Sequence, residues 1–370
     1  MIANASFSPQ SRSMQHMQLG GSEVTAATRQ PRRKSATART TPTVLHVINS
    51  AGVGGAERQL SEIVTRSSLN HEIYLLTAES DNRIRQVLGL RQRLRQGGFD
   101  LVVAWLDRSQ IAVSMTAPVG TPLIAAVAGL PRRQGPRSRW QLRAAISRYD
   151  MTIFNSQASL NAMQEFMRPL KTPRVEIVHN AVPMEAPRMP ADPQSPPRIG
   201  YIGRTSPDKG FDILLEALSR FRHGEIEVTA IGRGVPEAVA AYPQLEVEIE
   251  AIGHSAQPWA TMRSLSALVV PSRTEGSPNV VIEAFAAGAP VIATQVGGTV
   301  ELIGAGRGIG IPPEDPDAIA TAIRQVIRER DRAEEQVVAA RHYVEKEHSW
   351  PAVIERWDNL CWAVARGKAQ

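Results

Sequence analysis

Short apolar runs recur along this chain, each ending in a polar turn and followed by a stretch in which apolar residues return every three or four positions. The runs predict strands at 43–48, 72–77, 100–104, 122–126, 150–154 and 175–178, then at 199–203, 226–232, 246–251, 267–271, 290–293 and 309–311. The stretches between them carry the period of amphipathic helices. Alternation of this kind builds parallel sheets with helices on both faces. Between the two series lies 182–198, with Pro183, Pro187, Pro190, Pro193, Pro196 and Pro197. Fixed φ and missing N–H donors make that stretch a stiff connector. The fold class expected is α/β, with two Rossmann-like doubly wound domains facing each other across a cleft. Their bounds are 43–181 and 199–348, with a tail at 1–42, the connector at 182–198 and a last helix at 349–370.

The turn after the strand at 267–271 is the most informative. In PSRTEGSPNVVIEAFAAGAPVIATQVGGTVE, Glu275, Gly276, Ser277 and Pro278 form a polar turn, and a helix opens near Asn279 with Glu283 on its second turn. Val280, Val281, Ala284, Phe285 and Ala287 give that helix its packing face. The first helical turn leaves backbone N–H groups unpartnered, and these stabilise an anion held in the turn. Glu275 precedes the helix and Glu283 sits about a turn inside it, so both carboxylates can face one pocket and accept hydrogen bonds from vicinal hydroxyls. An anion cradle flanked by two hydroxyl acceptors suits a nucleotide sugar.

Two other turns carry compatible chemistry. In RIGYIGRTSPDKGFDILLEAL (198–218) a strand ends at Gly203-Arg204, and Arg204 and Lys209 bracket the loop that follows. Cations at the carboxyl end of a strand can neutralise a diphosphate as it becomes a leaving group. In TVLHVINSAGVGGAERQLSEIV (43–64), Gly52, Gly54 and Gly55 precede a helix, where the missing Cβ lets backbone approach a ligand. GVGGAE lacks the third glycine of the dinucleotide fingerprint.

The Glu275–Glu283 spacing, the EGSPN turn, the AxGxPV strand entry and the VGG turn together resemble the donor-site signature of the retaining glycosyltransferases of family 4, the glycosyl transferases group 1. The resemblance covers nearly everything from Val44 on and implies the GT-B architecture, with an acceptor domain first, a nucleotide-sugar domain second and a last helix, HSWPAVIERWDNLCWAVA, crossing back to the first. It implies that Glu275 faces the donor sugar while Arg204 and Lys209 meet the diphosphate. It assigns Gly203, Gly232, Ser277, Pro278, Asn279, Val280 and Glu283 to donor binding, Glu283 on the ribose. Gly54, Gly55, Arg108 and Asn155 fall on the acceptor side of the cleft. The implied partners are a UDP- or GDP-linked sugar and a glycan or lipid-linked acceptor, in cell-surface polysaccharide synthesis. Retaining transfer in the family is written as departure and attack on one face, with no protein nucleophile. No cofactor is expected, and no metal, on the reading that the chain carries no DxD motif.

Two departures from the family pattern stand out. The chain passes quickly from Asp81 to Leu101, where relatives often carry another strand and loop. The loops AWLDRSQ and AVAGLPRR hold Arg108 and no histidine, which many relatives place there. These keep open a degenerate relative that binds nucleotide sugar without transferring it, or a GT-B-type epimerase or phosphorylase.

Composition narrows the setting. The 370 residues are 42% hydrophobic and 5% aromatic, enough for two cores, and the single Cys361 fits a reducing compartment. No apolar run is long enough to span a membrane, and 1–42 lacks a signal-peptide core, so a cytoplasmic protein is expected. That tail, rich in Ser, Thr, Ala and Gln, holds +5 of the formal +6 and reads as disordered, either as a solvated tail or as an attraction to an anionic membrane face. From Gly129 to Asp150 the chain carries Arg132, Arg133, Arg137, Arg139, Arg143 and Arg148 and no acid before that aspartate. This run reads as a solvated helix face or as an acceptor-side surface drawn to the inner leaflet. Basic residues without interleaved aromatics do not point to nucleic acid.

Overall fold

The computed structural model describes residues 17–19, 22–24, 41–49, 54–76, 83–131, 135–167, 174–184, 196–255 and 258–367. Most of the tail, and positions 185–195 of the proline-rich connector, lie outside the described residues. Within the tail, where composition suggested no order, β1 (Met17–Leu19) pairs antiparallel with β2 (Ser22–Val24).

The first large sheet holds β3 (Thr43–Ile48), β4 (Asn70–Leu75), β5 (Leu101–Trp105), β6 (Leu123–Val127), β7 (Met151–Phe154) and β8 (Val175–Ile177), all parallel, in the order β4-β3-β5-β6-β7-β8. Helices α1 (Gly55–Arg66), α2 (Arg83–Gln96), α3 (Leu106–Thr116), α4 (Pro136–Ile146) and α5 (Gln157–Phe166) connect them. Among the described residues between 83 and 101, one helix, α2, leads to β5. Leu90, Leu94, Val113, Leu142, Ile146 and Met163 place α2 to α5 on one face of the sheet.

The second sheet holds β9 (Arg198–Ile202), β10 (Glu227–Ile231), β11 (Glu248–Ile252), β12 (Ala267–Val270), β13 (Val291–Thr294) and β14 (Ile309–Ile311), again parallel, in the order β11-β10-β9-β12-β13-β14. Its helices are α6 (Phe211–Leu218), α7 (Val235–Ala240), α8 (Trp259–Arg263), α9 (Asn279–Ala287), α10 (Gly298–Ile303) and α11 (Pro316–Arg328). Strand order reverses between β9 and β12. The crevice outside the carboxyl ends of two such strands is where open α/β sheets take ligands. The loops that open onto it are 203–210 and 271–278.

Two helices complete the chain. α12 (Arg330–Glu347) packs Ala340 and Val344 into the core around α9, and α13 (Trp350–Ala365) then lays Trp357, Leu360 and Val364 against the far face of the first sheet, beside α1. Asp358 fastens it there, accepting from Ser67 Oγ (2.5 Å), Ser68 N (2.9 Å) and Ser68 Oγ (2.7 Å). Val182 N donates to His348 O at 3.0 Å, so the two segments joining the domains run side by side.

Two buried histidines, His46 and His348, and the half-buried His71 sit at these joints. Trp105 Nε1 donates to His46 Nδ1 (3.1 Å), and His46 Nε2 stands 2.9 Å from His71 Nδ1. His348 Nδ1 stands 2.8 Å from Asn180 O, with its ring 4.7 Å from that of His179. Burial holds His46 well below its ordinary value of 6.5, with the nearby His71 adding to it. Burial likewise lowers His71 to about 4, against the opposing pull of Asp358, and His348 to about 3. The folded imidazoles therefore stay neutral while those of the unfolded chain take up protons below 6.5. Stability is full above that value and falls as pH drops toward 4, by up to about 1.4 kcal/mol per pH unit for each histidine. Melting temperature should decline between about pH 7 and 5, less steeply in His348→Gln. A flat profile across that window would contradict the assignment.

Candidate active site

The loop after β12 is built around one carboxylate. Glu275 is 7% exposed, and its Oε1 accepts from Lys209 Nζ and from Ser272 Oγ, both at 2.7 Å. Lys209 arrives from the loop after β9, through a 3-10 turn (Pro207–Lys209) that ends at Gly210 with φ of 65°. A Cβ on Gly210 would stand 2.0 Å from Pro271 O, so only glycine lets the two loops meet. Arg273 ties them again. It donates to Pro207 O (2.7 Å) and pairs with both oxygens of Asp212 (2.9 and 2.7 Å), which holds that carboxyl below its usual range. The VGG turn closes the pocket from the other side. Gly298 N donates to Glu275 O at 3.0 Å, and a Cβ on Gly297, at φ of 50°, would lie 1.9 Å from that same oxygen.

Helix α9 begins at Asn279 with no side chain capping it, so the first-turn N–H groups face the turn 275–278. Glu283 lies one turn in. Its side chain is 5% exposed, and Oε1 accepts from Arg58 Nη2 at 2.7 Å. Arg58 belongs to α1 of the other domain, so this pair spans the cleft. Other contacts span it as well. Asn180 Nδ2 donates to Asn279 Oδ1 (2.7 Å), Ser156 Oγ to Gly276 O (2.8 Å) and Gln157 N to Glu301 Oε2 (3.3 Å). A Cβ on Gly276 would stand 2.9 Å from Gly129 Cα, so the loop after β6 lies against the turn 275–278.

The geometry matches known proteins. Residues 196–329, which carry the loops 203–210 and 271–278, fit the family model Glycosyl transferases group 1. That match makes the second domain a glycosyl transferases group 1 domain. It is 28% identical over 184 residues to the glycogen synthase of Mycobacterium tuberculosis, an alignment that takes in 47% of this chain and 44% of that one. It is 27% identical over 273 residues to D-inositol 3-phosphate glycosyltransferase 1 of Catenulispora acidiphila, with 62% and 64% covered. These alignments thus span about half to two thirds of the relatives' lengths. In fold it is similar to Anabaena HepE, solved in complex with UDP-glucose, with a TM-score of 0.72, 18% identity, and 87% of this chain and 100% of that one covered. Its two facing sheets are the GT-B architecture.

The candidate residues do not all gather at one point. Glu275, Lys209, Ser277, Pro278, Asn279, Val280 and Glu283 lie on the crevice at the β9/β12 reversal. Arg204 sits on the same loop but is 65% exposed, 3.7 Å from Asp208. Gly232 is accounted for by packing, since a Cβ on it would fall 1.6 Å from Gly203 O, whereas a Cβ on Gly203 would meet only the Tyr201 side chain, at 3.1 Å. Gly54 caps α1, and Gly55 faces Asn279 Nδ2 across the cleft. Asn155 is buried and accepts from Ser159 Oγ at 2.9 Å. Arg108 is exposed on the first turn of α3, just after Leu106, whose φ of 67° is strained for a leucine.

Sequence reading passed over Arg58, although GGAER spells it, and over Ser272 and Arg273 within PSRTEG. It also missed the one DxD spelling in the chain, Asp315-Pro316-Asp317. Those carboxylates are engaged elsewhere: Asp315 caps α11 through Ala318 N, and Asp317 pairs with Arg220 at 2.7 Å. The basic run is divided too. Arg139 stacks over Phe166 (4.8 Å), Arg148 donates to Ser114 O, and Arg132 and Arg133 lie outside the described residues.

Proposed function

We propose that this chain is a retaining glycosyltransferase that moves a sugar from a UDP- or GDP-linked donor to a glycan or lipid-linked acceptor, in cytoplasmic steps of cell-surface polysaccharide synthesis. The observation that carries the reading is the convergence of Lys209, Glu275, Glu283 and the uncapped start of α9 on the β9/β12 crevice.

The nucleoside diphosphate lies with its phosphates at the α9 N-terminus. Lys209 and Arg204 take up the negative charge that grows on the diphosphate as the bond from the sugar's anomeric carbon to the phosphate oxygen breaks. Glu275, held by Lys209 and Ser272, orients the sugar through its hydroxyls. Glu283 accepts from the ribose hydroxyls in exchange for Arg58. The acceptor hydroxyl attacks the face that the diphosphate leaves, and its proton passes to the departing phosphate oxygen. The new glycosidic bond keeps the donor's anomeric configuration. Protein cations neutralise the leaving group, so no metal is needed.

The test is the anomeric coupling of the product, read by proton NMR after incubation with each nucleotide sugar and a lipid-linked acceptor in buffer containing EDTA. A product of the donor's configuration is expected. An inverted product, or activity lost to the chelator, would overturn the mechanism. Hydrolysis or transfer of no donor at all would favour the binding-only relative.

A further inference from the structure

We propose that the cleft-side rim of the first domain is a docking surface for an anionic lipid bilayer. The inference rests on the reading of the cleft as a sugar-transfer site, because it sets that site's mouth at a membrane surface.

Helices α2, α3 and α4 pack side by side over one face of the first sheet. Each follows a parallel strand, so all three begin at the carboxyl edge, which is the edge facing the cleft. Gly129 and Leu130, which lead toward α4, lie against Gly276 of the donor turn. The rim is thus continuous with the site.

Large apolar side chains stand in solvent along it. Ile84 is 71% exposed, Leu88 55% and Trp140 70%, within the first two turns of α2 and α4. Single exposed apolar residues are ordinary, whereas three at one rim mark a surface that meets something apolar. Arg85, Arg108 and Arg137 are exposed on the same helix ends. Across α2, α3 and α4 the sequence holds nine arginines and one acid, Asp107. The imbalance extends to the whole molecule. Residues 43–181 carry seventeen Lys and Arg against ten Asp and Glu, and residues 199–348 carry fourteen against twenty-one. An anionic plane therefore attracts the first domain and repels the second, which turns the rim toward it.

Cations interleaved with Ile, Leu and Trp fit the headgroup and acyl boundary of an acidic bilayer. A nucleic acid or an acidic peptide would match the charge but leave Ile84 and Leu88 in water.

The full chain should co-sediment with phosphatidylglycerol vesicles and not with phosphatidylcholine vesicles, and added salt should weaken the association. The double variant Leu88→Ser/Trp140→Ser, and separately Arg137→Glu, should each bind the acidic vesicles about tenfold more weakly or worse. Both changes are exposed, so the melting temperature and its shift with UDP or GDP should match the parent chain. That control separates this proposal from the donor-site reading: loss of the nucleotide shift with vesicle binding intact would strike the latter alone. Equal vesicle binding by parent and variants would overturn the docking surface. So would self-association of the parent that the same substitutions abolish, which would mark the rim as a contact between copies.

Discussion

Lys209→Ala turns over its donor about 10²- to 10³-fold more slowly, with the donor KM changed only a few-fold. The leaving diphosphate gathers charge as the sugar bond breaks, so a cation fixed beside it stabilises the transition state more than the bound donor. Lys209 is fixed by Glu275, at 2.7 Å, on a loop that Gly210 and Arg273 hold against Pro271 and Asp212. Arg204, two thirds exposed, should contribute less to the same charge. The substitution also leaves Glu275 nearly buried with only Ser272 donating to its side chain, which costs about 1–3 kcal/mol of stability. A Lys209→Ala/Glu275→Gln chain should therefore recover the melting temperature without recovering turnover. An effect confined to KM would mean that Lys209 holds only the ground state.

Glu283→Ala, by contrast, weakens donor binding about 10- to 100-fold and changes kcat much less. Hydrogen bonds from ribose hydroxyls to an ionised, nearly buried carboxylate are charge-assisted and are made alike in the bound donor and in the transition state. The carboxylate is already paired with Arg58, so the donor must exchange with that guanidinium. Arg58→Ala should accordingly tighten nucleotide binding a few-fold. Calorimetric titration of both variants checks the opposite signs. Equal weakening in the two would make Arg58 a ligand of the donor and not its competitor.

The frame was legible because its signals are local. Most strands are buried apolar runs in parallel sheets, with β4, β8 and β11 only partly buried, and all twelve strands of the two large sheets lie within two residues of the positions read from the sequence. Glu275 and Glu283 were legible for the same reason, since one turn and one helix set both. The Arg58–Glu283 pair joins residues 225 apart, and no period or turn signal reports a contact across a cleft. Arg273 was hidden among loop residues because its effect is to bind two loops that the sequence keeps far apart. Gly232 reads as a ligand-approach glycine, yet the carbonyl of Gly203 explains it. The DxD spelling at 315–317 shows the reverse error, a motif whose local fate is a helix cap. The arginines of α2 escaped notice because that stretch registers as a missing strand, not as a basic helix.

The measurement that bears most directly on the cleft as a nucleotide-sugar site is the melting temperature of the intact chain with UDP, GDP and ADP, beside the Glu283→Ala chain. A ligand at about one hundred times its Kd stabilises by about 2.7 kcal/mol, a shift readily seen. One nucleotide, UDP or GDP, should raise the melting temperature of the parent and raise that of Glu283→Ala by about half as much or less at the same concentration. An equal shift in both chains, or none with any nucleotide, would contradict the site.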